Sequence, residues 1–162
     1  MILRSERPGD EPAIFALTQA AFADMPFSNG MEGPIVDGLR ADGDLALSLV
    51  AEDMGGIVGH IAFSPVTVSG EREGLYGLGP VCADPERRGQ GIGSALVREG
   101  LARLPDARAV FLVGDPAYYA RFGFLGDCGL SHNDVPARAV QGLFLDGRAR
   151  RGEVRYAPAF GR

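Results

Sequence analysis

Arg88-Gly89-Gln90-Gly91-Ile92-Gly93-Ser94 is the segment whose residue types and spacing most plainly invite chemistry. It follows an apolar stretch, Leu78 to Ala83, and an Asp84-Pro85 turn, and it opens into an amphipathic pattern from about Gly91 to Leu104. Glycines at the mouth of a helix let backbone N–H groups approach an anion with no side chain in the way, and the helix dipole adds roughly half a positive charge there. The segment reads as a phosphate cradle, suited to a pyrophosphate. Two other phosphate loops are excluded. A Walker A loop ends in Gly-Lys-Ser/Thr, and all sixteen basic residues of this chain are arginine. A dinucleotide-binding G-x-G-x-x-G needs glycine at 94 or 96, where Ser94 and Leu96 stand. The plain alternative is a glycine turn with no ligand. Glycine inside a first helical turn costs up to ~1 kcal/mol each, which argues for a compensating role.

Other residues with chemical potential are spread along the chain. Pro80 interrupts a strand that should be central, and a residue without an N–H belongs at a bulge or edge. Tyr118-Tyr119 lies in a short helical stretch, Pro116 to Phe122, with Asp115 placed as its N-cap. Glu32 opens a helical segment, where the dipole favours a carboxylate whether or not it meets a substrate. His60 alternates with Val58 and Ala62, opposite Ile57, Ile61 and Phe63. It either faces a cleft and titrates near neutrality or packs as a structural histidine. His132, in Ser131-His132-Asn133-Asp134, reads as surface.

The elements that must position these groups follow from periodicity. Ile2 to Glu6 reads as a strand. Asp10 is placed to cap a helix with Ile14, Leu17 and Ala21 on one face, through Phe22. A second helix runs from about Met31 to Ala41 and stops at Asp42-Gly43-Asp44. Leu45 to Asp53 and Gly56 to Val68 read as antiparallel strands around Met54-Gly55, and Gly74 to Ala83 as another. The third helix buries Ile92, Leu96, Leu101 and Leu104, exposes a Glu99–Arg103 pair and ends at Pro105. Ala109 to Val113 is a buried strand. Leu143 to Leu145 and Glu153 to Tyr156 complete the sheet. The order predicts an α/β sandwich with a mixed sheet.

Val81-x-Ala83-x-Pro85-x-x-Arg88-x-x-Gly91-x-Gly93 resembles the acetyl-CoA signature, R/Q-x-x-G-x-G/A, of the GNAT acetyltransferases. Tyr118-Tyr119-Ala120-Arg121-Phe122-Gly123-Phe124 resembles that family's Tyr-x-x-x-Gly-Phe, in the family's order, with room between for one helix and one strand. The likeness runs from the N-terminal strand to the Gly152 to Phe160 tail, with particular similarity to the YhbS-like members. It implies the acyl-CoA N-acyltransferase fold: a mostly antiparallel sheet of six to seven strands, splayed between the fourth and fifth and flanked by about four helices. It implies an acyltransferase that moves acetyl from acetyl-CoA to a primary amine of a small molecule or peptide by direct attack. Val81 N–H would polarise the acetyl carbonyl, and Val81, Cys82 and Ala83 would hold the pantetheine arm. Arg88, Gly89, Gln90, Gly91, Ile92, Gly93 and Ser94 would wrap the diphosphate, with Arg87 available beside them. Tyr119 aligns with the family's general acid, with Tyr118 as rival and expected packing residue. A phenol near ~10 stays protonated and can serve a thiolate whose conjugate acid lies near ~8.5. Glu32 and His60 are the substrate-side candidates.

Two departures from the family stand out. Leu112 occupies the position, seven before the tyrosine, where many relatives carry Asn, and Ala107 to Val113 offers no carboxylate base. They keep a second reading open: a non-catalytic acyl-CoA-binding module on the same fold.

Bulk properties exclude other classes. At 162 residues and 46% apolar content the chain suits one domain, 1–162, with a real core. No run of eighteen apolar residues or basic leader suggests a membrane partner or export. Net charge −5 argues against nucleic acid. Cys82 and Cys128 lack metal spacing and read as free thiols of a cytoplasmic protein. A homodimer through C-terminal strands, as in this architecture, is a further expectation.

Overall fold

The computed structural model describes residues 1–162. Four helices accompany two sheets. The strands are β1 (Ile2–Ser5), β2 (Leu47–Asp53), β3 (Gly56–Pro65), β4 (Thr67–Val68), β5 (Leu75–Ala83), β6 (Ala109–Val113), β7 (Leu130–Ser131), β8 (Val140–Phe144) and β9 (Gly152–Arg155). The helices are α1 (Glu11–Phe22), α2 (Glu32–Asp42), α3 (Ile92–Arg103) and α4 (Pro116–Tyr119). The main sheet has the order β1-β2-β3-β5-β6-β8, and a second has the order β4-β9-β7. No helix is long and apolar enough to cross a membrane. The chain divides into two compact units: 1–63 with 79–104 and 159–162, and 64–78 with 105–158.

In the first unit, β1, β2 and β3 pair antiparallel. Ile14 of α1 and Val36 of α2 pack on Val50. Ile92 and Leu96 of α3 instead lie over Gly59, beside Ala51. Successive strand residues point to opposite faces, so α1–α2 and α3 cover opposite sides of these strands. Two glycines permit the α3 contact. A Cβ on Gly59 would stand 3.0 Å from Leu96 Cδ1 and closer still to Ile92, and a Cβ on Gly100 would stand 2.7 Å from Phe63 Cζ. Asp10, expected to cap α1, does not: its carboxylate takes Arg4 at 2.8 Å and the Arg7 N–H at 2.7 Å. A nearby guanidinium outbids a helix amide.

In the second unit, Val66, Val68, Leu75, Ala109, Phe111, Leu130, Val140 and Val154 form the core. β5 pairs parallel with β6 over Leu75–Gly77 against Ala109–Phe111, and β6 pairs antiparallel with β8. Arg150, 4% exposed, bonds both Glu71 and Asp146. His132 is less peripheral than expected: Nδ1 lies 3.0 Å from Val154 O, and the ring packs edge-on to Tyr156.

Several expectations need correction. The strand expected from Gly56 to Val68 breaks at Pro65, which has no N–H for a ladder, and Thr67–Val68 joins the second sheet. β9 pairs with β4 and β7 instead of completing the main sheet. β8 begins three residues earlier than expected, and β7, two residues long, is too short to show a period.

Two predictions follow from packing and charge. Gly100→Ala, a helix-favouring change in isolation, should cost about 1–3 kcal/mol here because the methyl meets Phe63; urea unfolding reads the sign. Arg150, with Arg148 beside Glu71, holds the Glu71 and Asp146 carboxyls down to about 2. In the unfolded chain they protonate near ~4. Their contribution is therefore complete above about pH 4 and lost as pH falls through about 2. The thermal midpoint should drop across that window in the wild type and drop less in Glu71→Gln/Asp146→Asn.

Candidate active site

β5 hands the chain to the glycine-rich turn through a fixed sequence of contacts. The Gly79–Pro80 peptide is cis, and the strand continues to Ala83. Asp84 N–H donates to Val58 O at 2.8 Å, and Asp84 Oδ1 accepts the Glu86 N–H, capping the 3-10 turn Pro85–Arg87. Gly89 and Gly91 then take left-handed conformations, φ +82° and +80°, which side-chain-bearing residues rarely adopt. Gly91 is the N-cap of α3 and has no side chain to cap it. A Cβ on either glycine would meet nothing within 4 Å. The turn is thus left-handed at two points, open above and lacking a side-chain cap, the arrangement that binds anions at helix N-termini.

The adjoining arginines are already engaged. Arg87 pairs with Asp53 at 2.6 Å, and Arg88 Nη2 donates to Ala21 O at 2.8 Å, at the end of α1. Arg87, expected to be available for phosphate, is held by a carboxylate. What the turn leaves uncommitted are backbone dipoles. Gln90 is exposed, while Gly93 and Ser94 are half-buried in the first turn of α3.

Beside the turn, Cys82 faces inward against Leu17 and Ala21, with Thr18 Oγ1 at 3.8 Å. Burial pushes its thiol up to about 11, so it stays protonated and has only main-chain groups to offer. Val81 and Ala83, its strand neighbours, are half-buried. Both cysteines are free thiols.

His60 does not face a cleft. It is 0% exposed, and burial pushes its imidazole down to about 4. Ser48 Oγ donates to Glu6 Oε1 at 2.6 Å, so His60 Nε2, 2.8 Å from the same oxygen, is the donor there. Nδ1 is left without a partner. Arg40 closes this chain with a two-pronged pair to Glu6 at 2.7 and 2.9 Å. Burial opposes ionisation of Glu6, yet Arg40 and Ser48 hold it below the usual carboxylate range. A cavity of about 380 Å³ opens on Glu6, Arg40 and Ser48, away from the glycine turn. Glu32, at the start of α2, accepts the Ser28 hydroxyl on Oε1 at 2.6 Å, which ties it to the α1–α2 loop.

The second unit carries Tyr119. Asp115 Oδ1 caps α4 by accepting the Ala117 N–H at 3.0 Å, as expected. The Tyr119 ring meets Tyr118 and Phe124 edge-on, at 4.9 and 6.1 Å between centroids. Burial above all, with Tyr118 and Asp115 adding to it, pushes its phenol up to about 12. Tyr118, expected to be the packing residue, instead lies under Arg121, whose guanidinium sits 4.3 Å from the ring centre. The inward-packed tyrosine is Tyr119. Sequence reasoning missed Gly114, which lies against that ring, and Gln141, whose Nε2 donates to the Gly114 carbonyl. The available signal was one polar side chain inside the apolar run Val140 to Leu145.

The chain is similar to known proteins in both sequence and fold. Residues 44–125 match the acetyltransferase (GNAT) domain family. The N-acetyltransferase YhbS of Escherichia coli K12, itself uncharacterised, is 44% identical over 127 residues, which is 76% of this chain and 73% of YhbS. A GNAT family acetyltransferase of Brucella melitensis, solved with acetyl-CoA, superposes with a TM-score of 0.87 at 46% identity, covering 98% of this chain and 97% of the other. E. coli YhbS solved with CoA gives 0.88 at 37% identity, covering 99% and 92%. Matches of this extent, on a chain that carries the glycine turn and the tyrosine helix in the family's order, make this protein a member of the GNAT acetyltransferase family.

Proposed function

We propose that the chain is a cytoplasmic, acetyl-CoA-dependent N-acetyltransferase acting on a primary amine of a small molecule or peptide by direct attack. The open, uncapped N-terminus of α3 carries the reading, since Gly89 and Gly91 leave room above a row of amides. The acetyl-CoA and CoA complexes of its Brucella and E. coli relatives support it.

Amides from Arg88 to Ser94 take the diphosphate, and the main chain of Val81, Cys82 and Ala83 takes the pantetheine arm. The amine nitrogen adds to the thioester carbon, and Val81 N–H stabilises the oxygen on which charge develops. The C–S bond then breaks, the electron pair stays on sulphur, and Tyr119 O–H donates to it. A phenol near 12 is secure as a donor and weak as an acid. Its first contribution is therefore a hydrogen bond to the forming thiolate, with the proton crossing as the bond breaks and solvent restoring the phenol. His60, sealed and neutral, does not serve as base. The ammonium proton leaves to water. Glu32, with Oε2 uncommitted to Ser28, is the acceptor-side carboxylate.

Thiol release from acetyl-CoA over an amine panel tests the chemistry. Tyr119→Phe should lower kcat by roughly a hundredfold with calorimetric CoA affinity unchanged; equal rates would remove Tyr119 as donor. The wild-type rate should show no loss from Tyr119 between pH 7 and about 10, since the phenol remains protonated well above that range. Gly91→Val forces a side chain into a left-handed turn and should weaken CoA binding by tenfold or more, on the order of 1.4 kcal/mol. Unchanged affinity in a folded variant would refute the cradle.

A further inference from the structure

Gly114, between β6 and α4, is held on three sides. Its N–H donates to Ala139 O at 3.1 Å, and its carbonyl accepts Gln141 Nε2 at 3.0 Å. Against its third side lies the Tyr119 ring, so close that a Cβ on Gly114 would stand 2.7 Å from Cε2 and 3.1 Å from Cδ2. The following residue, Asp115, caps the helix that bears Tyr119. Gly114 thus lies against the Tyr119 ring and directly before the cap of its helix.

Gln141 is an uneconomical residue for its place. It sits on β8 opposite Leu112 and is 0% exposed. Its Oε1 is buried with no hydrogen-bond partner. A buried amide with one end unsatisfied is less stabilising than a hydrocarbon of the same volume. Stability alone would favour Met or Leu. What the amide adds is one directed bond, from Nε2 to the Gly114 carbonyl. The Tyr119 ring is held by packing against Gly114, Tyr118 and Phe124. Any shift of the Gly114 peptide therefore passes through a rigid ring to the hydroxyl.

We propose that Gln141 and Gly114 are positioning residues for Tyr119: the Gln141 carboxamide clamps the strand-to-helix corner and thereby aims the phenol. The proposal rests on the reading of Tyr119 as proton donor. It assigns Gln141 no contact with substrate. A hydroxyl misplaced by about 1 Å can cost roughly a hundredfold in rate.

The test is a double-mutant cycle on thiol release from acetyl-CoA, using the fastest amine of the panel, or water as acceptor where no amine is turned over. Gln141→Met keeps the volume and removes the donor. It should lower kcat roughly ten- to hundredfold while KM for acetyl-CoA stays within about twofold. In a Tyr119→Phe background it should add nothing, because the group it aims is gone. A wild-type rate in Gln141→Met, or a loss that multiplies with that of Tyr119→Phe, overturns the proposal. If Tyr119→Phe alone is fully active, the reading of Tyr119 fails first, and the two failures are told apart. Gln141→Glu gives a second, reversible arm. Its neutral carboxyl can donate to Gly114 O, and its ionised form repels that carbonyl. Activity in Gln141→Glu should fall with rising pH between 6 and 9, where Tyr119 stays protonated and the wild type shows no such fall. A flat ratio of variant to wild type across that range also overturns it.

Discussion

The approach of α3 to β3 is the constraint on which the cradle depends. Gly59 on the strand accepts the N-terminal turns of the helix, Ile92 and Leu96, and Gly100 on the helix accepts Phe63. One contact seats each end of the helix. A helix resting on side chains keeps an interaxial distance that those side chains set; here each partner removes its own side chain at a contact point. The mouth of α3 is then held against the strand ends, where the Asp84 N–H meets Val58 O. The position of the proposed anion site is then a packing result before it is an electrostatic one.

That ordering explains the charges. Arginines near the turn are spent on the protein: Arg87 on Asp53, Arg88 on the Ala21 carbonyl of α1. Elsewhere Arg4, Arg40 and Arg150 each engage carboxylates through two nitrogens. A chain whose basic residues are all arginine favours such forked pairs, because the planar guanidinium loses little freedom in forming two bonds. In the proposed cradle, attraction for a polyanion falls to amide dipoles, which carry no counterion and need no reorganisation. Cys82, near the end of β5 before the glycine segment, is neutral at pH 7 and adds no charge there.

Much of this was legible in the sequence, and the limits are physical. Glycine spacing at 89, 91 and 93, Asp115 as a cap and the stop at Gly43 are local signals, and local structure follows them. Asp10 misled because its competitor, Arg4, lies on another element. His60 was ambiguous because strand alternation names a face and says nothing of what covers it. Which of Tyr118 and Tyr119 packs inward depends on Gly114 and Phe124, partners that helical phase does not reveal. β7 and the partners of β9 escaped because short strands owe their pairing to neighbours brought by the rest of the chain.

On the first unit the structure offers a thiol near 11, next to Val81, and an imidazole near 4, held on the Ser48–Glu6–Arg40 chain; on the other unit Tyr119 stands near 12. Between pH 6 and 9 none of the three changes its charge. No carboxylate replaces them on the strand from 107 to 113. An amine of pKa ~10 arrives mostly as ammonium, and only its free base can add to a thioester. If no protein group titrates in the working range, the pH dependence of the reaction belongs to the acceptor. The slope of rate against pH then reports the basicity of the amine, and so carries information about the substrate that pocket shape alone does not give.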